Sequence, residues 1–97
     1  MAQIQLVDHT LPSGRTVRVK FVYDSLLARV IIPHMAAITL WNRVYTHRTE
    51  LAPRIVLHEL RHVEQWYALG PVRFLAEYLW ESFRHGYYNN RFERDAR

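Results

Sequence analysis

Polar and apolar residues alternate from Ile4 to Val7, and again along Arg15-Thr16-Val17-Arg18-Val19-Lys20-Phe21-Val22, where Val17, Val19 and Phe21 share one face. Between the two runs stands Leu11-Pro12-Ser13-Gly14, a turn sequence, so a β-hairpin is predicted. Asp24 or Ser25 can cap the apolar stretch Leu26 to Ile32, whose length fits a short helix or a strand equally and which Pro33 ends in either case. Residues Ala37 to Thr46 are β-branched and aromatic, with Asn42 at a tight turn, and predict a strand or a short hairpin.

The period then changes. Val56, Leu60, Val63 and Tyr67 recur at helical spacing, Pro53 suits a first helical turn, and Gly70-Pro71 is a stop, so a helix is predicted from about Pro53 to Leu69. A second helix is expected from Pro71 to near His85-Gly86, with Phe74, Leu75, Tyr78, Leu79 and Phe83 apolar and Glu77, Glu81 and Arg84 on another face. The last segment, Tyr87 to Arg97, reads as a turn opening into one or two helical turns with Asn90 as N-cap. These elements make a single α+β domain over residues 1–97: a small antiparallel or mixed sheet packed on the first long helix and a second helix.

Composition narrows the chemistry. There is no cysteine, which removes disulfides and every thiolate metal site. The N-terminus lacks a basic head and an apolar core, so a cytoplasmic protein is expected, and no apolar run approaches the ~20 residues of a membrane span. The net charge is +4, from twelve Arg and one Lys among the basic residues, but the arginines are scattered and only Arg91, Arg94 and Arg97 are locally dense. That pattern favours a solvated surface over a nucleic-acid footprint.

The first long helix carries His58-Glu59-Leu60-Arg61-His62, an H-E-x-x-H pattern. Residues four apart share a helix face, so both imidazoles can reach one ion, with Glu59 available as general base. The pair sits well round the cylinder from the apolar stripe. A catalytic zinc takes three protein ligands and an open position. The His of H-E-x-x-H-x-x-G-x-x-H is absent, since Ala68 stands there and Gln65 replaces the Gly, so the third ligand must be Glu77, Glu81 or Glu93, with spacing slightly favouring Glu81. Asn90-x-x-Glu93 is also a capping-box spacing, a competing use for that carboxylate. For Glu77 and Glu81 the competing use is pairing with Arg73 and Arg84. Tyr87 and Tyr88 are the nearest candidates to donate to an oxyanion, and His9, His34, His47 and His85 are read as surface or satisfied histidines.

The strings Ala37 to Tyr45, Leu57 to Gln65, Gly86-Tyr87 and Asn90 to Ala96 together resemble the short bacterial zincin-like metallopeptidase domains of the gluzincin type. The resemblance covers roughly residues 37 to 97. In those relatives a strand like A-x-T-x-G-N-x-I-Y leads into H-E-x-x-H-x-x-Q, and a later E-x-x-A helix carries the third ligand. The resemblance therefore implies a minimal zincin fold, one catalytic zinc on His58, His62 and Glu93, Asn90 capping the Glu93 helix, and Tyr87, from the Gly-Tyr pair, as donor to the oxyanion. Trp41 stands where such strands often have Gly. Arg97 stands where larger relatives have an acid that orients a ligating His, with Asp95 as its substitute. The function expected is a zinc-dependent endopeptidase with Glu59 activating water and an extended peptide or protein substrate along the strand near Ala37 to Tyr45. The alternative is a catalytically inactive zincin-like binding module for an acidic protein or nucleic-acid partner.

Overall fold

A computed structural model describes residues 3–31, 33 and 35–97. The predicted hairpin is present: β1 (Gln3–Thr10) pairs antiparallel with β2 (Thr16–Tyr23), Val7 opposite Val19. The ambiguous stretch is a helix, α1 (Leu26–Ile31), and Ile32 lies outside the described residues. Ser25 is its cap, its hydroxyl accepting from the Ala28 N–H at 3.2 Å, while Asp24 adopts φ 52° and pairs with Arg29 at 3.0 Å. β3 (Ile38–Leu40) and β4 (Arg43–Tyr45) form the short hairpin. The sheet order is β1-β2-β4-β3, with β2 and β4 parallel, so the sheet is mixed and β3 lies at an edge.

Trp41 is the first of the two loop residues of that hairpin and has φ 60°, a conformation that favours Gly and costs other residues about 1–2 kcal/mol. Its ring packs on Tyr67 with centroids 4.2 Å apart and meets Trp66 edge-on at 6.4 Å. Such pairs contribute about 0.5–1.5 kcal/mol each beyond their buried area, which offsets the backbone strain. The turn thereby anchors the edge strand to the helix below it.

That helix, α2 (Pro53–Leu69), has the bounds predicted from its proline and glycine signals. Its stripe meets the sheet as expected: Leu60 and Val63 are buried with Val17, Val19, Phe21 and Val44, and Val56 and Tyr67 pack at the margin. Gly70, at φ 83° and ψ 160°, turns the chain into α3 (Pro71–Asn89). Helical geometry breaks inside α3 at Gly86 (φ 80°, ψ 167°), near where the sequence predicts an end. Only Gly occupies that backbone region freely. The apolar face assigned to α3 is mostly not core: Phe74 is buried with Trp66 and Phe92, but Leu75, Leu79 and Phe83 are exposed. The helix that follows, α4 (Arg91–Ala96), packs through Phe92 on Phe74 and leaves Leu75, Leu79 and Phe83 exposed. Among the described residues, no helix is long and apolar enough to cross a membrane.

A six-residue helix is far too short to hold by itself, so α4 depends on tertiary ties. Asn90, fully buried, caps it by accepting from the Phe92 N–H at 2.8 Å, and donates to the Tyr78 carbonyl at 3.0 Å and the Ser82 hydroxyl at 2.8 Å. Phe92 fills the aromatic cluster, and Asp95 pairs with Arg61 through two hydrogen bonds of 2.7 and 3.2 Å. Asn90→Ala removes the cap and the buried amide's bonds to the Tyr78 carbonyl and the Ser82 hydroxyl, a loss of about 2–3 kcal/mol. A melting point lower by on the order of 10 °C is the expected thermal readout; an unchanged one would mean that α4 is held by Phe92 and Asp95 alone.

Candidate metal centre

Helices α2 and α4 bring His58, His62 and Glu93 to one point. The Glu93 Oε1 lies 3.0 Å from His58 Nε2 and 3.1 Å from His62 Nε2, and the two Nε2 atoms are 3.2 Å apart. Two ligand atoms each about 2.0–2.1 Å from zinc, at a tetrahedral angle, stand about 3.3–3.4 Å from one another. The observed triangle is within a few tenths of an ångström of that spacing. Among the described residues this trio is the group of His and carboxylate side chains with metal-ligand spacing.

The donor chemistry agrees with the distances. Gln65 donates from Nε2 to the Phe92 carbonyl at 3.0 Å and to Asp95 Oδ2 at 2.8 Å, which turns its amide oxygen toward His62 Nδ1 at 2.8 Å. His62 must therefore carry a proton on Nδ1, and its neutral ring presents a lone pair at Nε2. Tyr78 donates to Glu93 Oε2 at 2.5 Å, leaving Oε1 to face the imidazoles. The Nε2 lone pair of His62 and the Oε1 of Glu93 thus converge on one point with His58 Nε2, which offers a third lone pair when its ring carries the proton on Nδ1, an arrangement that suits a cation. Asp95, read from sequence as the acid that helps orient a ligand, acts through Gln65.

Without a metal, protonation is the substitute. Burial favours the neutral His62 ring, but the hydrogen bond and charge of Glu93 outweigh it and raise the pKa above 6.5. Burial likewise opposes ionisation of Glu93, yet the His62 bond and charge, with the Tyr78 and His58 bonds, hold its carboxyl down at about 2. The Glu93 contribution to stability is present above the ordinary carboxylate value of 4.5 and is lost as pH falls toward about 2. The His62 contribution is present below 6.5 and is lost as pH rises through the raised folded value. In chelator, the melting point should peak between these limits and decline on the alkaline side. With zinc the alkaline decline should disappear, because ligation needs the neutral ring; a flat profile in chelator would show that the pair is not ionised.

Glu59 is buried beside the triangle. Thr39 of β3 donates to its Oε2 at 2.6 Å, so one carboxylate oxygen is held and Oε1 is left for chemistry. The Thr39 carbonyl accepts from Trp66 Nε1 at 3.2 Å. Thr39 precedes the pair that flanks a two-residue hairpin loop, so it turns its N–H and C=O away from β4. Trp66 takes the carbonyl, and the N–H faces the open edge.

Tyr87 lies at the mouth of the site, lining the same cavity walls as Glu59. Partial burial first, then the negative charges of Glu93 and Glu59, push its hydroxyl up to about 12, so it is a proton donor at neutral pH. The other carboxylates are elsewhere. Glu77 pairs with Arg73 at 2.6 Å and with Arg91, and Glu81 accepts from the Arg91 N–H at 3.2 Å rather than from Arg84. The slight spacing preference for Glu81 is therefore not met, because α3 turns that side chain toward the start of α4. Glu93 makes no capping-box bond; its carboxylate is committed to the imidazoles and Tyr78.

Of the remaining histidines, His9 pairs with Glu64 at 2.6 Å, His85 is exposed, and His34 lies outside the described residues. The buried Nε2 of His47 meets no hydrogen-bonding partner among the described residues, so that ring is not satisfied as the sequence reading expects. Sequence reasoning missed three roles. Thr39 and Gln65 stand inside the strand and H-E-x-x-H-x-x-Q strings, where their recurrence was the available signal. Tyr78 carried no signal, because its ring fits the apolar face of α3 and only the fold aims its hydroxyl at Glu93. No protein-family model, curated protein or solved structure matches this chain.

Proposed function

We propose that the protein is a zinc-dependent metallopeptidase that hydrolyses peptide bonds in an extended substrate. The observation that carries this reading is the triangle of His58 Nε2, His62 Nε2 and Glu93 Oε1, with edges of 3.0–3.2 Å, beside a buried carboxylate that is not part of it. His58, His62 and Glu93 are the residues that would hold the ion. Bound there, zinc would supply a Lewis acid for the scissile carbonyl and make hydroxide accessible near neutral pH.

The protein's own groups supply the rest. Glu59, steadied at Oε2 by Thr39, takes the proton of the attacking water at Oε1 and returns it to the leaving amine. Tyr87 donates its hydroxyl proton in a hydrogen bond to the charge that develops on the carbonyl oxygen. Tyr78 and Gln65 fix the orientation of Glu93 and His62. The peptide lies along the β3 edge, where the Thr39 N–H remains to bind it.

The test is cleavage of a denatured protein or unstructured peptide by zinc-loaded protein, abolished by chelator and restored by zinc. Stoichiometric zinc with no cleavage of any such substrate would contradict the peptidase reading.

A further inference from the structure

Two cavities meet at Met35, Ala37, Glu59 and Tyr87, and of the two only the second is bordered by arginines. The first, about 310 Å³, lies between the β3 edge and α3; Leu40, Trp66, Phe74, Leu75 and Leu79 make it strongly apolar. That volume is at the low end for ligand pockets and suits one large side chain rather than a length of chain. Leu75 and Leu79 are the part of the α3 face that the fold leaves exposed, at 47% and 59%, which a substrate side chain would cover.

The second cavity, about 960 Å³, reaches from His58 toward the start of α2 and is bordered by Arg48, Arg54 and Arg97. Outside this cavity Arg18, Arg29, Arg61, Arg73 and Arg91 are in ion pairs, and Arg15 and Arg84 lie over the Tyr67 and Trp80 rings; Arg43 and Arg94 pair with no acid among the described residues but do not border either cavity. No acidic side chain among the described residues pairs with Arg48 or Arg54, and Arg97 lies over the Tyr88 ring at 3.9 Å. Arg48 and Arg54, close in sequence, thus meet the distant Arg97 at one end of the cleft, none of the three in an ion pair with an acidic side chain among the described residues.

Resting on the peptidase reading, we propose that the cleft selects an unstructured peptide with a bulky apolar side chain on one side of the scissile bond and an acidic side chain on the other. The apolar pocket takes the first, and Arg48 with Arg54 takes the second. The two cavities share Glu59 and Tyr87, so a chain filling both crosses the reacting groups. Electrostatic complementarity at the arginine end fixes the direction in which the chain lies.

The test measures binding, so that it reads the cleft and not the chemistry. Labelled ten-residue unstructured peptides are titrated into Glu59→Gln protein, with and without added zinc. One set carries Phe and Glu flanking a central Ala-Ala in both orders; the controls replace Glu by Lys or Phe by Ala. One Phe/Glu order should bind about tenfold or more tighter than either control. Arg48→Glu with Arg54→Glu should reverse the choice of Glu over Lys, whereas Leu79→Asp, at an exposed position, should erase the choice of Phe over Ala and leave the charge preference.

Peptides binding within twofold of one another, or a single-stranded oligonucleotide displacing them more readily than the Phe/Glu peptide does, would overturn the proposal. Ranked binding without cleavage by the native protein would instead count against the catalytic reading and leave this one standing.

Discussion

Glu59→Gln is expected to abolish peptide hydrolysis, lowering kcat by about 10³-fold or more, while zinc content and melting temperature stay as in the native protein. General-base catalysis supplies about 10²–10⁴-fold, and an amide cannot take the proton of the attacking water. The reason zinc should remain is geometric: Glu59 stands outside the triangle of ligand atoms and is bound by Thr39 instead. The amide oxygen of Gln can still accept from Thr39, so the fold loses nothing comparable. Metal analysis, melting and turnover on one peptide check all three parts together. Retained turnover would remove Glu59 from the mechanism; lost zinc would mean that it ligates.

Glu93→Gln has the second large effect, on the metal. Outer partners of metal ligands change affinity by about 10–100-fold, so loss of a direct carboxylate ligand should weaken zinc by at least about 100-fold. The equivalent changes Glu77→Gln and Glu81→Gln should leave affinity unaltered, because those carboxylates bind Arg73, Arg91 and the Arg91 N–H. In the metal-free state the same variant should lower the His62 pKa, whose rise depends on the Glu93 bond and charge. Competition titration with a chromophoric chelator measures the first effect and proton NMR of the imidazole the second. Undiminished zinc affinity would exclude Glu93 as the third ligand.

The parts of the molecule that were legible in the sequence are those governed by local rules. Alternation marked β1 and β2, proline and glycine marked both ends of α2, and Asn90 announced the start of α4. The helical spacing of His58 and His62 put both imidazoles on one face of α2, where their Nε2 atoms stand 3.2 Å apart. What was not legible depends on how elements meet. Spacing left Glu77, Glu81 and Glu93 open, and the resemblance alone pointed to Glu93; the packing of α4 on α2, through Phe92 and the Arg61–Asp95 pair, and its tie to α3 through Asn90 are what bring its carboxylate to the imidazoles.

Tyr78 illustrates the same limit. Its ring and hydroxyl obey different neighbours, and periodicity sees only the ring. The apolar face of α3 fails in the opposite direction: helical spacing identifies apolar positions, but burial requires something to lie against them, and among the described residues nothing covers Leu75, Leu79 and Phe83. Arg97 joins Arg48 and Arg54 only through the fold, so local density along the sequence does not group the three.

If His58, His62 and Glu93 form one zinc site, zinc titrated into chelator-stripped protein should bind as one tight equivalent in the native protein and in Glu81→Ala, and that equivalent should be lost in His58→Ala, His62→Ala and Glu93→Ala. Absence of stoichiometric zinc in the native protein, or a full equivalent retained at undiminished affinity in Glu93→Ala, would contradict a site of these three ligands.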